Sequence, residues 1–196
     1  FTWQNGRELY YSNVNNGENQ VYYAYNIDGL RTIKTVVGVE RYLYYYAGDK
    51  LISQTWDDGA KSLSFLYDGN GEIYGLLYDN GSTVTPYYFI TNLQGDVIAI
   101  MNNSHSLVAH YRYDAWGNVL AITDNLGNDI SGNASHIANL NPIRYRGYYY
   151  DTETGFYYLQ NRYYDPVIGR FVNADDIDYL GTDGTALSYN LFAYCL

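Results

Sequence analysis

A short motif that recurs about every twenty residues constrains the fold of this chain most. The motif is a tyrosine, often followed by aspartate, with a glycine four or five residues after the tyrosine and then a β-prone run. It occurs as YNIDGLRTI from Tyr25, YDGNGEIYG from Tyr67, YDAWGNVLA from Tyr113 and YDPVIGRFV from Tyr164. Successive glycines at positions 29, 48, 71, 95 and 117 are 19, 23, 24 and 22 residues apart. Self-similarity at such a period indicates a repeat architecture.

Each repeat predicts one β-hairpin, because about twenty residues accommodate two strands and two turns. The glycine supplies the positive φ of a tight turn, and the preceding Asp or Asn bonds its own backbone. In the segment 107–113 one face carries Leu107, Ala109, Tyr111 and Tyr113, and the other carries Val108, His110 and Arg112. Neither face is fully polar, so the sheet is expected to meet something on both sides.

Composition favours an all-β fold of antiparallel hairpin repeats that form a curved sheet. The chain has 27 tyrosines, 19 glycines and 3 prolines, and tyrosine is a strong strand former. Tandem tyrosines such as Tyr157 and Tyr158 place rings on both faces of one strand. We expect these rings to stack across neighbouring strands, each pair adding roughly 0.5 to 1 kcal/mol, and to hold one continuous curved wall together.

Charge and hydropathy exclude two classes of partner. The chain has 11 basic and 21 acidic residues, a net charge of −10, and no stripe of Lys and Arg that could neutralise a phosphate backbone. Nucleic acid is therefore not an expected partner. No stretch approaches the roughly 18 apolar residues that a membrane-spanning helix needs. The acids are scattered among predicted turns, where they keep a surface rich in tyrosine soluble.

Candidate catalytic and metal-binding residues have simpler explanations. The histidines lack metal-ligand spacing and a Cys or acid at a fixed offset: His105, His110 and His136. Cys195 excludes an internal disulfide and is more readily explained as a packed residue than as a nucleophile, because no basic neighbour lowers its pKa. Asp175 and Asp176 are adjacent acids, but neighbouring side chains of an extended chain point apart. We predict no cofactor and no metal.

Two acidic stretches resemble calcium loops. Asp68, Asn70 and Glu72 have the spacing of the start of such a loop, but Ile73 stands where the turn glycine belongs. A hairpin turn explains them better. In the second stretch the candidate calcium ligands are Asp124, Asn128 and Asp129, at the start of DNLGNDISGNASHIANLN, a run of turn formers without periodicity. A loop of this length is either mobile or specialised for a partner.

The motifs resemble those of a known family. The repeated Y-D-x-x-G is similar to the YD repeat of rearrangement-hot-spot (Rhs) proteins, and RYRGYYYDTETGFYYLQNRYYDPVIGRFVNAD, at 144–175, closely resembles the core that ends their repeat region. YNLFAYCL, at 189–196, resembles the continuation in Gram-positive wall-associated members. The resemblance divides the chain into repeats over 1–141, with a loop excursion at 124–141, and a core over 142–196 that is truncated at its C-terminal end.

The resemblance implies a structural role. Rhs proteins wind their repeats into a hollow β shell, which in bacterial polymorphic toxins encloses a variable C-terminal toxin domain. The implied partners are the rest of the shell and this domain, and the implied location is secreted or attached to the bacterial cell wall. The residues assigned to the structural motif are Tyr67, Asp68, Gly71, Tyr113, Asp114 and Gly117 in the repeats, and Tyr150, Gly155, Tyr164, Asp165, Pro166, Gly169, Arg170 and Phe171 in the core.

The resemblance also bears on catalysis. Many relatives cleave themselves with aspartates of a D-P-x-G motif. Asp165 and Pro166 are followed by Val167 and Ile168, so they do not form this motif, and we expect the cleaving aspartates downstream of Leu196. No enzymatic activity is predicted for the chain itself. Gly169 would enable a turn that shapes the closure of the shell, and Phe171 would anchor it.

Two further interactions remain open at the level of sequence. Choline- and glucan-binding repeats also run near twenty residues with tandem tyrosines, so a cell-wall polysaccharide module is an alternative. Their tryptophans recur within each unit, whereas Trp3, Trp56 and Trp116 do not occupy a repeat position. The exposed edges of an open sheet could also pair with another copy of the chain.

Overall fold

Two antiparallel sheets make up the computed structural model, which describes residues 1–14, 17, 19–175 and 190–194. The twelve strands of the large sheet lie in strict chain order: β1 (Thr2–Gln4), β2 (Glu8–Val14), β3 (Asn19–Tyr25), β4 (Arg31–Val36), β5 (Glu40–Ala47), β6 (Lys50–Trp56), β7 (Lys61–Tyr67), β8 (Ile73–Asp79), β9 (Val84–Thr91), β10 (Val97–Asn102), β11 (Leu107–Tyr113) and β12 (Val119–Thr123). The small sheet contains β13 (Tyr149–Asp151), β14 (Phe156–Leu159), β15 (Arg162–Asp165) and β16 (Arg170–Phe171).

The large sheet is strongly curved. Trp3 on β1 packs against Tyr163 of the small sheet with ring centroids 6.2 Å apart, and at the opposite end the Gly117 carbonyl accepts a hydrogen bond from the Tyr157 hydroxyl. A flat sheet of twelve strands would be roughly 50 Å wide across its strands, and a sheet of four strands about 15 Å wide. Both ends of the large sheet reach the same small sheet only if the large sheet bends around it. The predicted all-β fold of antiparallel hairpins in a curved sheet is confirmed.

The repeated Asp and Gly build one kind of hairpin turn. In the β7–β8 turn, Oδ1 of Asp68 accepts from the backbone N–H groups of Asn70 and Glu72, both at 2.9 Å, and Gly71 has φ of 85°. The pairing register shifts beside this turn, which marks a β-bulge. Among the described residues the same side-chain pattern occurs at Asn26, Asn92, Asn102, Asp114 and Asp124.

The repeat tyrosines add a side-chain link between strands. Each lies at or next to the end of a strand, and its hydroxyl donates to a carbonyl at the start of the preceding strand. The pairs are Tyr25 to Leu9 at 3.1 Å, Tyr46 to Arg31 at 2.9 Å, Tyr67 to Leu51 at 2.8 Å and Tyr113 to Val97 at 2.8 Å. The tyrosine of the motif therefore fastens one hairpin to the next beside its turn.

The tandem tyrosines of the core segment lie in the separate small sheet, which differs from the single continuous wall that we expected. One face of this sheet packs on the large sheet through Tyr149, Phe156, Tyr158 and Tyr163. The other face buries Tyr157, Tyr164 and Phe171 together with Tyr145. A strand that carries rings on both faces requires cover on both sides, and a wall strand that faces solvent does not provide it.

The segment 124–141 packs onto the large sheet. It begins with the turn at Asp124 and contains a short helix, α1 (Ile137–Leu140), which His136 caps by accepting from the backbone N–H of Ala138 at 3.1 Å. Ile137 and Ala138 are buried, and the Ala138 carbonyl accepts a hydrogen bond of 2.6 Å from the Tyr111 hydroxyl. The excursion therefore contributes to the core. The division of the chain at 141 stays a prediction.

Candidate functional site

A cluster of charged side chains lies buried between the two sheets. Arg31 and Lys34 come from β4, Asp151 ends β13, and Glu153 follows in the next turn. Nη1 of Arg31 lies 2.5 Å from Oδ2 of Asp151, and Nζ of Lys34 lies 3.0 Å from Oδ1 of Asp151 and 2.9 Å from Oε2 of Glu153. The Arg31 and Asp151 residues have no solvent exposure. Buried charges persist only when they are paired, so this cluster joins the large sheet to the small one.

Tyrosine rings surround the Arg31 guanidinium. Its central carbon lies 4.4 to 5.5 Å from four ring centroids, those of Tyr23, Tyr44, Tyr149 and Tyr158. Nη1 also donates to the Tyr163 hydroxyl at 3.4 Å. Contacts of a guanidinium with aromatic faces are attractive and compensate in part for the lost water. Nε and Nη2 of Arg31 are buried and have no hydrogen-bond partner among the described residues.

The cluster shifts the protonation of its members. Burial opposes ionisation of Asp151, but the charges of Arg31 and Lys34 outweigh it and lower the pKa of this carboxyl. Burial likewise opposes the charged form of Lys34, but Glu153 together with Tyr44, Tyr149 and Asp151 outweighs it, so the pKa of this ammonium is raised. Burial raises the pKa of the Tyr149 phenol to about 12. All these groups keep their ordinary charge states at neutral pH, which suits a structural cluster.

A second contact between the sheets is made at the β11–β12 turn. Three consecutive carbonyls of this turn accept hydrogen bonds from core tyrosines: Ala115 from Tyr145 at 3.0 Å, Trp116 from Tyr164 at 2.8 Å and Gly117 from Tyr157 at 2.8 Å. A Cβ at Gly117 would lie 2.6 Å from the Tyr145 ring, so this glycine is needed both for its φ of 93° and for the close approach of the ring.

The predicted motif residues lie at hairpin turns. The repeat residues are Tyr67, Asp68 and Gly71 at the β7–β8 turn, and Tyr113, Asp114 and Gly117 at the β11–β12 turn. The core residues are Tyr150 and Gly155 at the β13–β14 hairpin, and Tyr164, Asp165, Pro166, Gly169, Arg170 and Phe171 at the β15–β16 hairpin.

Two of these turns contact each other and a third does not join them. The β11–β12 and β15–β16 turns meet, because Asn118 donates to the Pro166 carbonyl at 2.9 Å and Gly169 faces the Trp116 ring. The β7–β8 turn instead contacts Lys50, whose Nζ lies 3.1 Å from the Gly71 carbonyl oxygen.

The β15–β16 turn has local features that bear on its proposed role. Oδ1 of Asp165 accepts from the backbone N–H of Val167 at 2.8 Å, and Gly169 has φ of 65°. Phe171 is buried, and the Arg162 guanidinium carbon lies 3.6 Å from its ring centroid. Gly169 is thus in the conformation that a turn glycine adopts, and the closure role of this turn stays a proposal.

The charged cluster was not predicted from the sequence. Arg31 and Lys34 lie in LRTIKTVV, and Asp151 follows GYYY. A charge within an apolar β-prone run is the signal that could have identified them, because such a side chain must find a partner if its strand is covered on both faces.

The other candidates show no convergence. His110 lies in β11, His105 lies in the Asn102 turn, and Asp175 pairs with Arg162 at 2.7 Å. The described part of the chain contains no group of three or more His, Cys, Asp or Glu side chains placed to hold a metal ion, and no helix long and apolar enough to cross a membrane. Asp176 and Cys195 lie outside the described residues.

Comparisons with known proteins agree with this architecture. A family model described as the teneurin YD-shell matches residues 5–195. The tRNA3(Ser)-specific nuclease WapA of Bacillus spizizenii is 38% identical over 174 residues, which cover 88% of this chain and 7% of that protein. The tRNA(Glu)-specific nuclease WapA of Bacillus subtilis subsp. natto is 36% identical with the same coverage. The chain thus spans about 7% of the length of these relatives.

A solved structure shares the fold. The crystal structure of TcdB2-TccC3-TEV superposes with a TM-score of 0.69 over 98% of this chain and 9% of that one, at 19% identity. The small sheet enclosed by the large one, the turn motif and the family match over nearly every residue agree with the resemblance to Rhs proteins. The chain belongs to the teneurin YD-shell family of Rhs/YD-repeat proteins, and it forms a segment of such a shell.

Proposed function

We propose that this chain is a non-catalytic wall segment of an exported bacterial polymorphic toxin, and that it helps to hold and deliver a C-terminal toxin domain. The observation that carries the proposal is the curved twelve-stranded sheet fastened around the small sheet by buried charges and tyrosine hydroxyls. Its partners would be the rest of its own shell and the toxin domain, without a cofactor. Its location would be secreted or attached to the cell wall.

The relatives support a shell role for this segment. Their names give two different tRNA specificities, yet each shares this segment with the chain at 36% or more identity. A segment common to nucleases of different specificity is a poor candidate for the part that selects the tRNA. The net charge of −10 also disfavours direct contact with RNA. We therefore assign the segment to the container, and we place the self-cleaving aspartates downstream of Leu196.

A protection experiment tests the container function. In the full-length protein that carries this segment and its C-terminal domain, Tyr157→Ala removes the ring and hydroxyl that dock the small sheet at Gly117. We expect the C-terminal domain to be digested by proteinase K at least tenfold faster in this variant. The matched control is Tyr74→Ala, which removes a tyrosine that is 43% exposed. Equal digestion of the C-terminal domain in wild type and in the Tyr157 variant would contradict the proposal.

The non-catalytic assignment has its own test. Incubation of the purified 196-residue chain should release no C-terminal peptide, because the motif needed for cleavage is expected beyond Leu196. Intact mass measured over several days at pH 5 to 8 provides the readout. Release of a defined peptide that Asp175→Asn abolishes would refute the assignment.

A cell-wall polysaccharide site is the second candidate, and a group of tyrosines favours it. Tyr10 and Tyr22 are 44% and 41% exposed, and their ring centroids lie 5.9 Å apart, while Tyr11 lies 4.9 Å from Tyr22. Flat exposed rings are suitable platforms for sugars. If they serve this purpose, Tyr10→Ser with Tyr22→Ser will abolish retention on purified wall polysaccharide, and Tyr45→Ser, a change at another exposed ring, will not.

Edge pairing is a further proposal for the sheet. At one end of the strand order, part of the edge of β12 is occupied by the bridge of Thr123 with Asp129 and by the hydrogen bond from the Ile130 N–H to the Ile122 carbonyl. β1 lies at the other end and offers an edge to a neighbouring strand of the shell or to another copy of the chain. Light scattering across a concentration series checks the second possibility. A molar mass that stays at that of one chain up to millimolar concentration would exclude pairing between copies.

A further inference from the structure

A cleft of about 500 Å³ opens between the large sheet and the small sheet. Tyrosine is the commonest residue of its lining, which includes Tyr44, Tyr46, Tyr67, Tyr148, Tyr149 and Tyr158. Arg31, which is fully buried, and Lys50, which is exposed, both contribute to the lining. The cleft therefore leads from the protein surface toward the buried charge cluster, and its volume lies in the range of sites that bind small molecules.

Arg31 presents an unused pair of donors in this region. Its Nη1 is engaged by Asp151 and by the Tyr163 hydroxyl, whereas its buried Nε and Nη2 have no partner among the described residues. Nε and Nη2 lie along one edge of the planar guanidinium, where their N–H bonds run parallel. This fork matches the two oxygens of a carboxylate. A buried donor pair without acceptors is unfavourable, so an arriving carboxylate would satisfy both atoms at once.

The local charges permit one more anion. Arg31 and Lys34 are balanced by Asp151 and Glu153, and Lys50 adds a cation in the lining of the cleft. The carboxylate of Asp49 also borders the cleft, and because Asp49 and Lys50 are both exposed, solvent screens both charges. A ligand with a single negative charge would therefore interact mainly with the buried Arg31 fork, and Lys50 adds a weaker attraction near the surface.

Access to the fork requires a small movement. Nε and Nη2 do not touch solvent, and the rings of Tyr44, Tyr149 and Tyr158 lie over the guanidinium that carries them. Rotation of a side chain at a binding site is common when a ligand enters, and it needs no change of the backbone. The tyrosines that enclose the guanidinium are the groups that would move, and three of them, Tyr44, Tyr149 and Tyr158, line the cleft.

We propose that this cleft binds a carboxylate carried on an aromatic or apolar body. The Nε and Nη2 atoms of Arg31 receive the carboxylate, the tyrosine rings cover the body of the ligand, and Lys50 attracts the charge from the surface. The carboxylate can belong to a free organic acid or to the C-terminus of a peptide. Both present the same group to Arg31, and they differ in the size of the body that the cleft must hold.

Paired probes test the proposal by calorimetry on the purified protein. The free-acid arm compares 4-hydroxyphenylacetate with 4-hydroxyphenylacetamide, which has the same shape and no charge. The peptide arm compares Gly-Gly-Tyr that has a free C-terminus with its amidated form. We expect the acid of at least one arm to bind tenfold or more tightly than its amide, and the arm that binds identifies the source. Equal affinities of acid and amide in both arms, or no binding to the folded protein, would overturn the proposal.

Variants locate the binding in the cleft. Lys50→Gln should weaken acid binding severalfold and leave amide binding unchanged, because the change removes an exposed positive charge that attracts the acid and not the neutral amide. Lys61→Gln removes an exposed lysine that pairs with Asp57 outside the cleft and should change nothing. Equal losses in both variants would indicate nonspecific attraction and would reject the site.

Arg31→Lys tests the fork itself, because it keeps the positive charge and removes the pair of parallel N–H donors. A folded Arg31→Lys variant should bind the acid no more tightly than the amide. If this variant does not fold, the comparison of Lys50→Gln with Lys61→Gln decides.

Discussion

A single hydrogen bond distinguishes the repeat tyrosines from phenylalanine. The Tyr113 hydroxyl donates to the Val97 carbonyl at 2.8 Å, and loss of one such bond costs about 1 kcal/mol. We therefore predict that Tyr113→Phe lowers the free energy of unfolding by about 1 kcal/mol in urea titrations. Tyr74→Phe, at an exposed ring, should leave it unchanged. Equal effects of the two changes would show that the bond at Val97 contributes nothing to stability.

Glycines of the same turn motif are predicted to differ in their tolerance of alanine. Gly117 and Gly127 have φ of 93° and 86°, so alanine is strained at both by about 1 kcal/mol or more. A Cβ at Gly127 meets nothing within 4 Å, whereas one at Gly117 meets the Tyr145 ring. Gly117→Ala should therefore lose roughly 1 to 3 kcal/mol more than Gly127→Ala, because the ring must move.

Chemical denaturation of the two alanine variants gives the comparison directly. If they lose equal stability, the Tyr145 ring is not packed against Gly117 as described.

The contrast between Gly117 and Gly127 also shows what a local sequence can predict. A turn such as that of Asp68 and Gly71 follows from five consecutive residues, and the sequence predicts it well. The neighbour of Gly117 comes from a residue 28 positions later in the chain, which no local pattern contains.

At the scale of strands and sheets, the alternation of side chains along the chain and the turn motifs predict where strands begin and end. They do not predict to which sheet each strand belongs. The core segment has the same β-prone composition as the repeats, and we expected it to continue their wall. Its strands form the small sheet because both of their faces are apolar and need cover. The buried charges show the same limit, since Arg31 pairs with Asp151 across 120 positions of the chain.

The ion pairs of Arg31 and Lys34 on β4 with Asp151 on β13 predict that stability depends on pH in the acid range. Arg31 and Lys34 lower the pKa of Asp151 in the folded chain, against about 3.9 when unfolded. The stabilisation is complete above the unfolded pKa and is lost as the pH falls through the folded value. Asp151→Asn leaves two buried cations without this partner and should cost roughly 3 to 5 kcal/mol at neutral pH.

Stability measured from pH 6 down to pH 2 tests this cluster. The wild-type chain should lose free energy of unfolding below about pH 5, and the Asp151→Asn variant should follow a flatter curve in the same window. The matched control is Asp57→Asn, which removes an exposed partner of Lys61 and should leave the wild-type curve intact. Parallel curves for wild type and the Asp151 variant would contradict the role of this carboxylate.

At the scale of the whole molecule, the aromatic interior links the two sheets into one cooperative unit. Buried phenols lie on both faces of the small sheet, and those of Tyr157 and Tyr164 bond to carbonyls of the β11–β12 turn of the large one. Separation of the sheets would expose these rings together. A container built in this way should resist opening while its phenols are neutral, and it should open when they ionise.

Alkaline unfolding is the prediction that follows. Burial raises the pKa of Tyr149 to about 12 and also raises those of Tyr157 and Tyr158, against about 10 in the unfolded chain. Below pH 10 these phenols are neutral in both states and stability is complete. As the pH rises above 10, the unfolded state releases protons that the folded state retains, so each such phenol removes about 1.4 kcal/mol per pH unit. Phenolate absorbance at 295 nm should therefore rise for the buried tyrosines in the same step in which far-ultraviolet circular dichroism is lost. Reversible ionisation of every tyrosine near pH 10 with an unchanged β spectrum would mean that the rings do not seal the two sheets together.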